Sequence, residues 1–321
     1  MAARSSSILR RALLYVPASS PRMLAKSLGL ASDNITYDLE DSVTPSAKPS
    51  ARTALRKHLV DNPSRPSSVS ELAVRINAVS SPYALDDLAA LAPLPNVDAV
   101  VLPKVNSASD LTFATDALRH LAPERHRDES RGNPIKIVAL IESARAVMDL
   151  REICAASPLL SGLIFAAEDF ALDLSLTRTP SLSEFLYARS AIVTAARAAG
   201  LPSTIDLVCT SYKGDEGLAR LEEECRNGKA MGFNGKQCIH PSQVETVQRL
   251  FAPSEKEVEW AVRITIADEK AATAGRGAWT LDGAMIDAPV AGKARAIVDK
   301  ARKCGIDVDA LREKWKDQEP E

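Results

Sequence analysis

Aromatic side chains are scarce in this sequence: Phe, Tyr and Trp together make up only 4% of it. Alanine is abundant instead, a bias that favours helix-rich α/β packing. There is no excess of charge of either sign. A net charge of −2 removes any electrostatic case for nucleic acid or an anionic membrane as partner. No apolar run approaches the ~20 residues that a membrane-spanning helix requires. The five cysteines (Cys154, Cys209, Cys225, Cys238 and Cys304) are odd in number, scattered and without CxxC spacing. That pattern points to a reducing compartment and offers no zinc site. Acidic residues are missing from the first 32 positions, where Arg4, Arg10, Arg11, Arg22 and Lys26 accompany three early serines, Ser5 to Ser7. Mitochondrial presequences share that composition, so a mitochondrial destination is expected, with a cytoplasmic one as the alternative. The first core strand already begins near Ala12, which leaves residues 1–11 as a flexible N-terminus long enough only for a short leader.

What is present is a repeated pattern of short apolar runs that end on charge. The clearest is Gly162–Phe170 (GLIFAAEDF), where five apolar residues lead directly into Glu168 and Asp169. A wholly apolar run of that length fits a strand buried on both faces, as in a parallel sheet covered by helices. Such a strand has no room for carboxylates in its interior, so they belong where it emerges. Comparable runs are Ala12–Pro17, Ile35–Asp41, Leu72–Asn77, Asp98–Lys104, Lys136–Glu142, Ile205–Val208 and Lys236–His240. Helical stretches separate them, most at spacings of 25–40 residues. One is expected after Ser20 and Pro21, and another from a capping box at Ser181 and Glu184. Eight such units predict a closed (β/α)8 TIM barrel over residues 12–251. An open doubly wound sheet is the alternative, but it would need a Gly-rich phosphate turn after the first strand, where the sequence has SSPRML.

The charged ends of the runs would then share one rim: Asp41, Arg75, Lys104, Glu142, Asp169 and His240. In a (β/α)8 barrel the C-terminal rim builds the active site from several strand ends at once. Hard carboxylate oxygens converging there suit Mg²⁺ bound to substrate oxygens. Any one strand-end acid could equally be a helix cap or an arginine partner. Extended geometry would turn Glu168 away from Asp169. A buried, satisfied role is the simpler expectation for His240. Residues 252–321 are not needed by the barrel and form a C-terminal helical extension. Within it, Gly275–Pro289 reads as a glycine-hinged apolar loop, expected to act as a lid or a subunit contact.

Taken together, LLYVPASSPRML, YDLEDSV, VRIN, LPKV, IES, AAEDF, GKQCIHPSQ and DGAMIDAP resemble, in order, the pattern of the CitE-like acyl-CoA lyases. These belong to the HpcH/HpaI aldolase superfamily and include the citrate lyase β subunit and citramalyl-CoA lyases. The resemblance spans about Arg11 to Pro289. It implies Mg²⁺, with Mn²⁺ as a substitute, on Glu142 and Asp169. It also implies Arg75 facing the substrate, and Tyr15, Arg22 and Lys48 contacting the coenzyme A portion. Asp287 is the implied acid/base at the thioester α-carbon, reaching into a neighbouring subunit of a homotrimer. The apolar neighbours Met285, Ile286 and Pro289 would raise its pKa by desolvation. The implied reaction is reversible cleavage of a 3-hydroxyacyl-CoA of the citramalyl-CoA or malyl-CoA type to acetyl-CoA and pyruvate or glyoxylate. Two rivals stay open: a Mg²⁺ aldolase acting on free 2-oxo acids, and a non-catalytic binding subunit of a larger complex.

Overall fold

Eight parallel strands close on themselves, and the computed structural model describes residues 8–127 and 133–321 of the chain. The first half runs β1 (Ala12–Pro17), α1 (Pro21–Ser27), β2 (Asn34–Asp38), α2 (Lys48–Asp61), β3 (Glu71–Arg75), α3 (Ala84–Leu91), β4 (Ala99–Leu102), α4 (Ala108–Leu121) and α5 (Pro123–His126). The barrel is completed by β5 (Lys136–Ile141), α6 (Ala144–Met148), α7 (Leu150–Ala155), β6 (Leu160–Phe165), α8 (Ala167–Leu174), α9 (Leu186–Ala198), β7 (Ser203–Asp206), α10 (Gly214–Met231) and β8 (Gly235–Cys238). Parallel pairing of β1 with β8 closes the ring. The fold is therefore the TIM barrel that the alternation of runs predicts. No helix among the described residues is long and apolar enough to cross a membrane.

Several boundaries differ from expectation, each for a local reason. β2 stops at Asp38 rather than Asp41, because the Asp38 carboxylate accepts the backbone N–H groups of Glu40 and Ser42 and bends the chain into a turn. β6 stops at Phe165, and the residues that follow coil at once into α8. Ser181 does not cap a helix; Glu184 instead accepts hydrogen bonds from Thr179, and α9 begins at Leu186 after a short 3-10 turn. At the first helix the expectation holds: Ser20 caps α1 by accepting from the Met23 N–H, with Pro21 in its first turn.

Period-2 alternation organises the barrel interior. Leu13, Ala73, Ala99, Val101, Val138, Leu140, Ile164 and Ile205 form its apolar filling, with Tyr15 and Ala166 packed on it. One more step of two along the same strand faces leads from Leu13 to Tyr15, from Ala73 to Arg75 and from Leu140 to Glu142. The alternation that fills the core thus also aims these three side chains at the C-terminal mouth.

The opposite mouth is closed by Arg10, which is fully buried. Its guanidinium forms two 2.7 Å bonds to the Glu71 carboxylate and further bonds to Ser203 Oγ, Ser161 Oγ and the Ser161 carbonyl. Arg11 pairs with Asp33 at 2.8 Å. These two residues are therefore part of the barrel, not of a flexible N-terminus; residues 1–7 lie outside the described residues. A Cβ at Gly235 would stand 1.9 Å from the Arg10 carbonyl oxygen, so that close approach requires glycine. Arg10→Met strands a buried Glu71 carboxylate and should lower stability by about 3–5 kcal/mol in urea unfolding. Adding Glu71→Gln to it should recover much of that loss; a single variant with native stability would refute the floor assignment.

The chain divides into two units, one ending at Gln248 and one running Arg249–Glu321. The division falls inside α11 (Val244–Phe251), three residues before the expected boundary. The second unit comprises α12 (Glu255–Thr273), β9 (Trp279–Leu281), β10 (Ala284–Ile286), α13 (Ala288–Lys303) and α14 (Val308–Lys314). It has its own core, in which Trp279, Leu281 and Ile286 pack with Val258, Val262 and Val298. The stretch read as an open loop is thus a β-hairpin. Asp282 (φ 51°) and Gly283 (φ 77°) supply the two left-handed residues of a two-residue hairpin turn, and Arg263 grips Asp282 through two bonds of 2.6 and 2.8 Å.

Candidate active site

Glu168 and Asp169 owe their position to an aromatic cluster. Three of the six phenylalanines, Phe165 at the end of β6, Phe170 in α8 and Phe185, meet edge to face with ring centroids 5.4–6.4 Å apart. The cluster anchors the first turn of α8 to the sheet, and Asp169 lies in that turn at the barrel mouth. Glu168 is directed elsewhere by helical geometry, not by strand alternation. It accepts from Arg178, whose other bonds go to the Val208 carbonyl and Glu224 at 3.0 Å.

Glu142 follows β5 and is buried. One of its oxygens accepts the Lys104 backbone N–H at 2.5 Å. Its carboxyl is pushed up to about 7, first by burial and then by repulsion from Asp169 and Glu40; the Lys104 amide and ammonium oppose the shift. Lys104 Nζ lies 3.9 Å from Glu142 and 3.4 Å from Asp169, so the two expected metal ligands converge on one ammonium.

Arg75 emerges from β3 with its fork fully engaged. Nε and Nη2 hold the two Asp38 oxygens at 2.6 and 2.7 Å, and Nη1 stands 3.3 Å from both Glu40 and Asp41. Burial alone would raise the Asp38 pKa, but the bonds from Arg75 outweigh it and hold the carboxyl below its ordinary value. Asp38 is thus the dominant partner of Arg75. Tyr15 lies under the guanidinium, 4.6 Å from ring centroid to Arg75 Cζ, and donates its hydroxyl to Gln237 Oε1 at 3.0 Å. Burial of the phenol holds its pKa well above the usual value. Gln237 in turn donates to the Phe165 and Asp206 carbonyls, which fixes both its own orientation and that of Tyr15.

A 410 Å³ cavity opens over these groups, lined among others by Tyr15, Asp38, Arg75, Leu140, Asp169 and Gln237. That volume is typical of a small-molecule site. The remaining expected residues lie differently. Arg22 is exposed in the first turn of α1. Lys48 is not a solvent-facing phosphate contact: it is turned inward, donating to the Leu39 and Glu40 carbonyls at 3.1 and 2.9 Å, and so braces the turn after β2. His240 is exposed rather than buried, stacked on Tyr212 at 4.9 Å and bonded to Ser242. Asp287 caps α13 by accepting the Val290 N–H at 3.1 Å. It is half-buried, and Met285 beside it is 67% exposed, so the hairpin's own residues do not form the apolar enclosure expected around it.

The donor set fits a divalent cation. Five carboxylates (Asp38, Glu40, Asp41, Glu142, Asp169) face two cationic side chains, Arg75 and Lys104, which leaves an excess of negative charge made of hard oxygen donors. Among the described residues no three His, Cys, Asp or Glu side chains converge as a closed metal cage. An open site of two carboxylates, with its other positions left to water and substrate, is what such chemistry needs. Sequence reasoning missed Gln237 and Arg178 as members of the site, and placed Lys104 on the rim without giving it a role. Lys104 was visible only as the charged end of its run, whereas the other two carry no signal of their own.

A closed (β/α)8 barrel with carboxylates, an arginine and an open cavity at its C-terminal mouth has the arrangement of a TIM-barrel enzyme's active site. The chain belongs to the HpcH/HpaI aldolase/citrate lyase family, whose model matches residues 11–241. A second model, a C–C bond lyase of the TIM-barrel fold, matches residues 187–306. The citrate lyase subunit beta of Haemophilus influenzae is 37% identical over 93% of this chain and 98% of its own length. The human mitochondrial citramalyl-CoA lyase is 33% identical over 92% of this chain and 86% of its own. Among solved structures, the protein CitE of Mycobacterium tuberculosis in complex with magnesium, acetoacetate and coenzyme A superimposes with a TM-score of 0.71. It is 32% identical and the match covers 92% of this chain and 98% of that one. The chain is thus a carbon–carbon lyase of this family.

Proposed function

We propose that the chain cleaves a 3-hydroxyacyl-CoA of the citramalyl-CoA or malyl-CoA type to acetyl-CoA and pyruvate or glyoxylate, and catalyses the reverse condensation. The observation that carries this reading is a cavity lined by Arg75 and Asp169, with the Glu142 and Asp169 carboxylates both within 4 Å of the Lys104 ammonium, supported by family membership. Glu142 and Asp169 would hold Mg²⁺, which when bound supplies Lewis-acid stabilisation of charge developing on the oxo-acid oxygens. Arg75, kept rigid by Asp38 and by the Tyr15 ring, lines the cavity and would orient the substrate carboxylate or thioester oxygen through Nη1, whose contacts to Glu40 and Asp41 are its longest. As the C2–C3 bond breaks, the 3-hydroxyl passes its proton to solvent water, from which Asp287 regains its own after each turnover, and becomes the ketone of the 2-oxo acid. The bonding electrons pass to the thioester as an enolate, and Asp287 of a neighbouring subunit delivers a proton to its α-carbon. Leu140 and Ala166 at the cavity base exclude water from that carbanion. Tyr15 and Arg22 would contact the coenzyme A portion; Lys48 contributes by holding the β2 turn.

Purified chain incubated alone with Mg²⁺ and each thioester should release acetyl-CoA from at least one of them. Citramalyl-CoA and malyl-CoA differ by one methyl, worth about 1–3 kcal/mol in a pocket, so their kcat/KM ratio should lie within about 10–200-fold. Cleavage of free 2-oxo acid aldols without any thioester cleavage would favour the aldolase rival. Inertness towards both classes, with the fold intact, would favour the binding-subunit rival.

A further inference from the structure

Lys104 occupies the place where a metal would be expected to act. Its Nζ stands 2.8 Å from Glu40, 3.4 Å from Asp169, 3.8 Å from Asp41 and 3.9 Å from Glu142. Only the Glu40 contact is a well-formed hydrogen bond; the other three are charge contacts across a shared space. Main chain and side chain at this residue behave differently. The backbone is pinned: φ is +52°, a left-handed conformation uncommon outside glycine. It is held there by the bond from its N–H to one Glu142 oxygen and by the Asn106 side chain donating to its carbonyl. The side chain is 39% exposed, on a flexible four-carbon stem. The amide therefore steadies one oxygen of Glu142 while the ammonium is free to leave the other.

We propose that Lys104 is a tethered counter-ion that competes with the divalent cation for Glu142 and Asp169. It gathers the two carboxylates before the cation enters, then withdraws onto Glu40 and Asp41 when the cation binds. The physical reason is that a divalent ion between Glu142 and Asp169 cannot share that space with an ammonium now within 4 Å of both carboxylates. Displacing it subtracts from metal affinity, so the cation is held firmly only when substrate oxygens add their share. Lys104 is thus a positioning residue that tunes metal affinity. This rests on the metal assignment proposed above.

The test is Mn²⁺ binding to the full chain, read by the electron paramagnetic resonance of the free ion, without substrate and without reference to turnover. Lys104→Met and Lys104→Gln both remove the charge, and Gln retains a donor for Glu40, so a folding failure of the first still leaves an answer. Either folded variant should bind Mn²⁺ at least about tenfold more tightly than the native chain, because Coulomb repulsion between the two cations is removed. Their metal-free melting temperatures should fall and recover more on adding Mn²⁺ than the native one does. Lys104→Arg, which keeps the charge, should not tighten binding. Native or weaker affinity in the charge-removing variants, or equal tightening by Lys104→Arg, would overturn the competitor role. If neither the native chain nor any variant takes up Mn²⁺, the metal assignment itself fails, and this inference with it.

Discussion

Asp169→Asn is expected to abolish divalent-cation binding and thioester cleavage while leaving the barrel folded. Asp169 sits in the first turn of α8 with a partly exposed side chain whose recorded partner is Lys104 at 3.4 Å. The Phe165, Phe170 and Phe185 cluster that fixes this turn does not involve it. Replacing the carboxylate by an amide of equal size therefore removes one of the two proposed anionic ligands and little else. Even residues that only orient a ligand cost 10–100-fold in metal affinity when replaced, and loss of a ligand should cost more than ~100-fold. Unfolding free energy should change by no more than ~0.5 kcal/mol, as at other rim positions outside the core. Chelation of the native chain should reproduce the defect, and Mg²⁺ or Mn²⁺ should reverse it. Undiminished acetyl-CoA release in excess chelator would remove the metal from the mechanism altogether.

Asp287→Asn should lower acetyl-CoA release by ~10²–10⁴-fold, the usual contribution of a general acid/base. Its folding should be unaffected, because Asn serves as well as Asp at a helix N-cap and can still accept the Val290 N–H. The control is Asp282→Asn, five residues earlier. It loses the solvent-screened ion pair with Arg263, yet Asn tolerates the left-handed turn, so catalysis should barely change. If Asp287 serves a neighbouring subunit, mixed oligomers of Asp287→Asn and Asp169→Asn chains should recover partial activity, since some sites then combine an intact barrel with an intact hairpin. Asp169→Asn is the better partner in this experiment than a variant of Arg75, whose loss would strand the buried Asp38. An active monomer in light scattering would exclude the shared site, and normal cleavage by Asp287→Asn would return the residue to a purely structural cap.

Much of this protein could be read from its sequence because the signals are short-range or periodic. Apolar runs of strand length, separated by helical stretches, have few ways to bury both faces, and eight of them close a barrel. The period of two that makes Leu13, Ala73 and Leu140 interior also makes Tyr15, Arg75 and Glu142 the next residues at the mouth. The order of the motifs placed the chain in its family, and comparison with known proteins agrees. Some misreadings were local. The Asp282–Gly283 pair is a recognised hairpin signal that was passed over. The end of β6 could not be located, because AAEDF suits a strand end and a helix start equally.

What only the tertiary structure decided is which of several charged groups meet. Arg10 looked like part of a leader and is the floor of the barrel, because Glu71, Ser161 and Ser203 from three distant strands surround it. Lys48 looked like a contact to the coenzyme A portion and is buried, because the turn after β2 directs the Leu39 and Glu40 carbonyls at its ammonium. Lys104 looked like one charge among many and lies amid four carboxylates. Secondary structure follows from the pattern of apolar residues along the chain. The pairing of charges depends on distances between residues far apart in sequence, and those distances exist only once the barrel has closed.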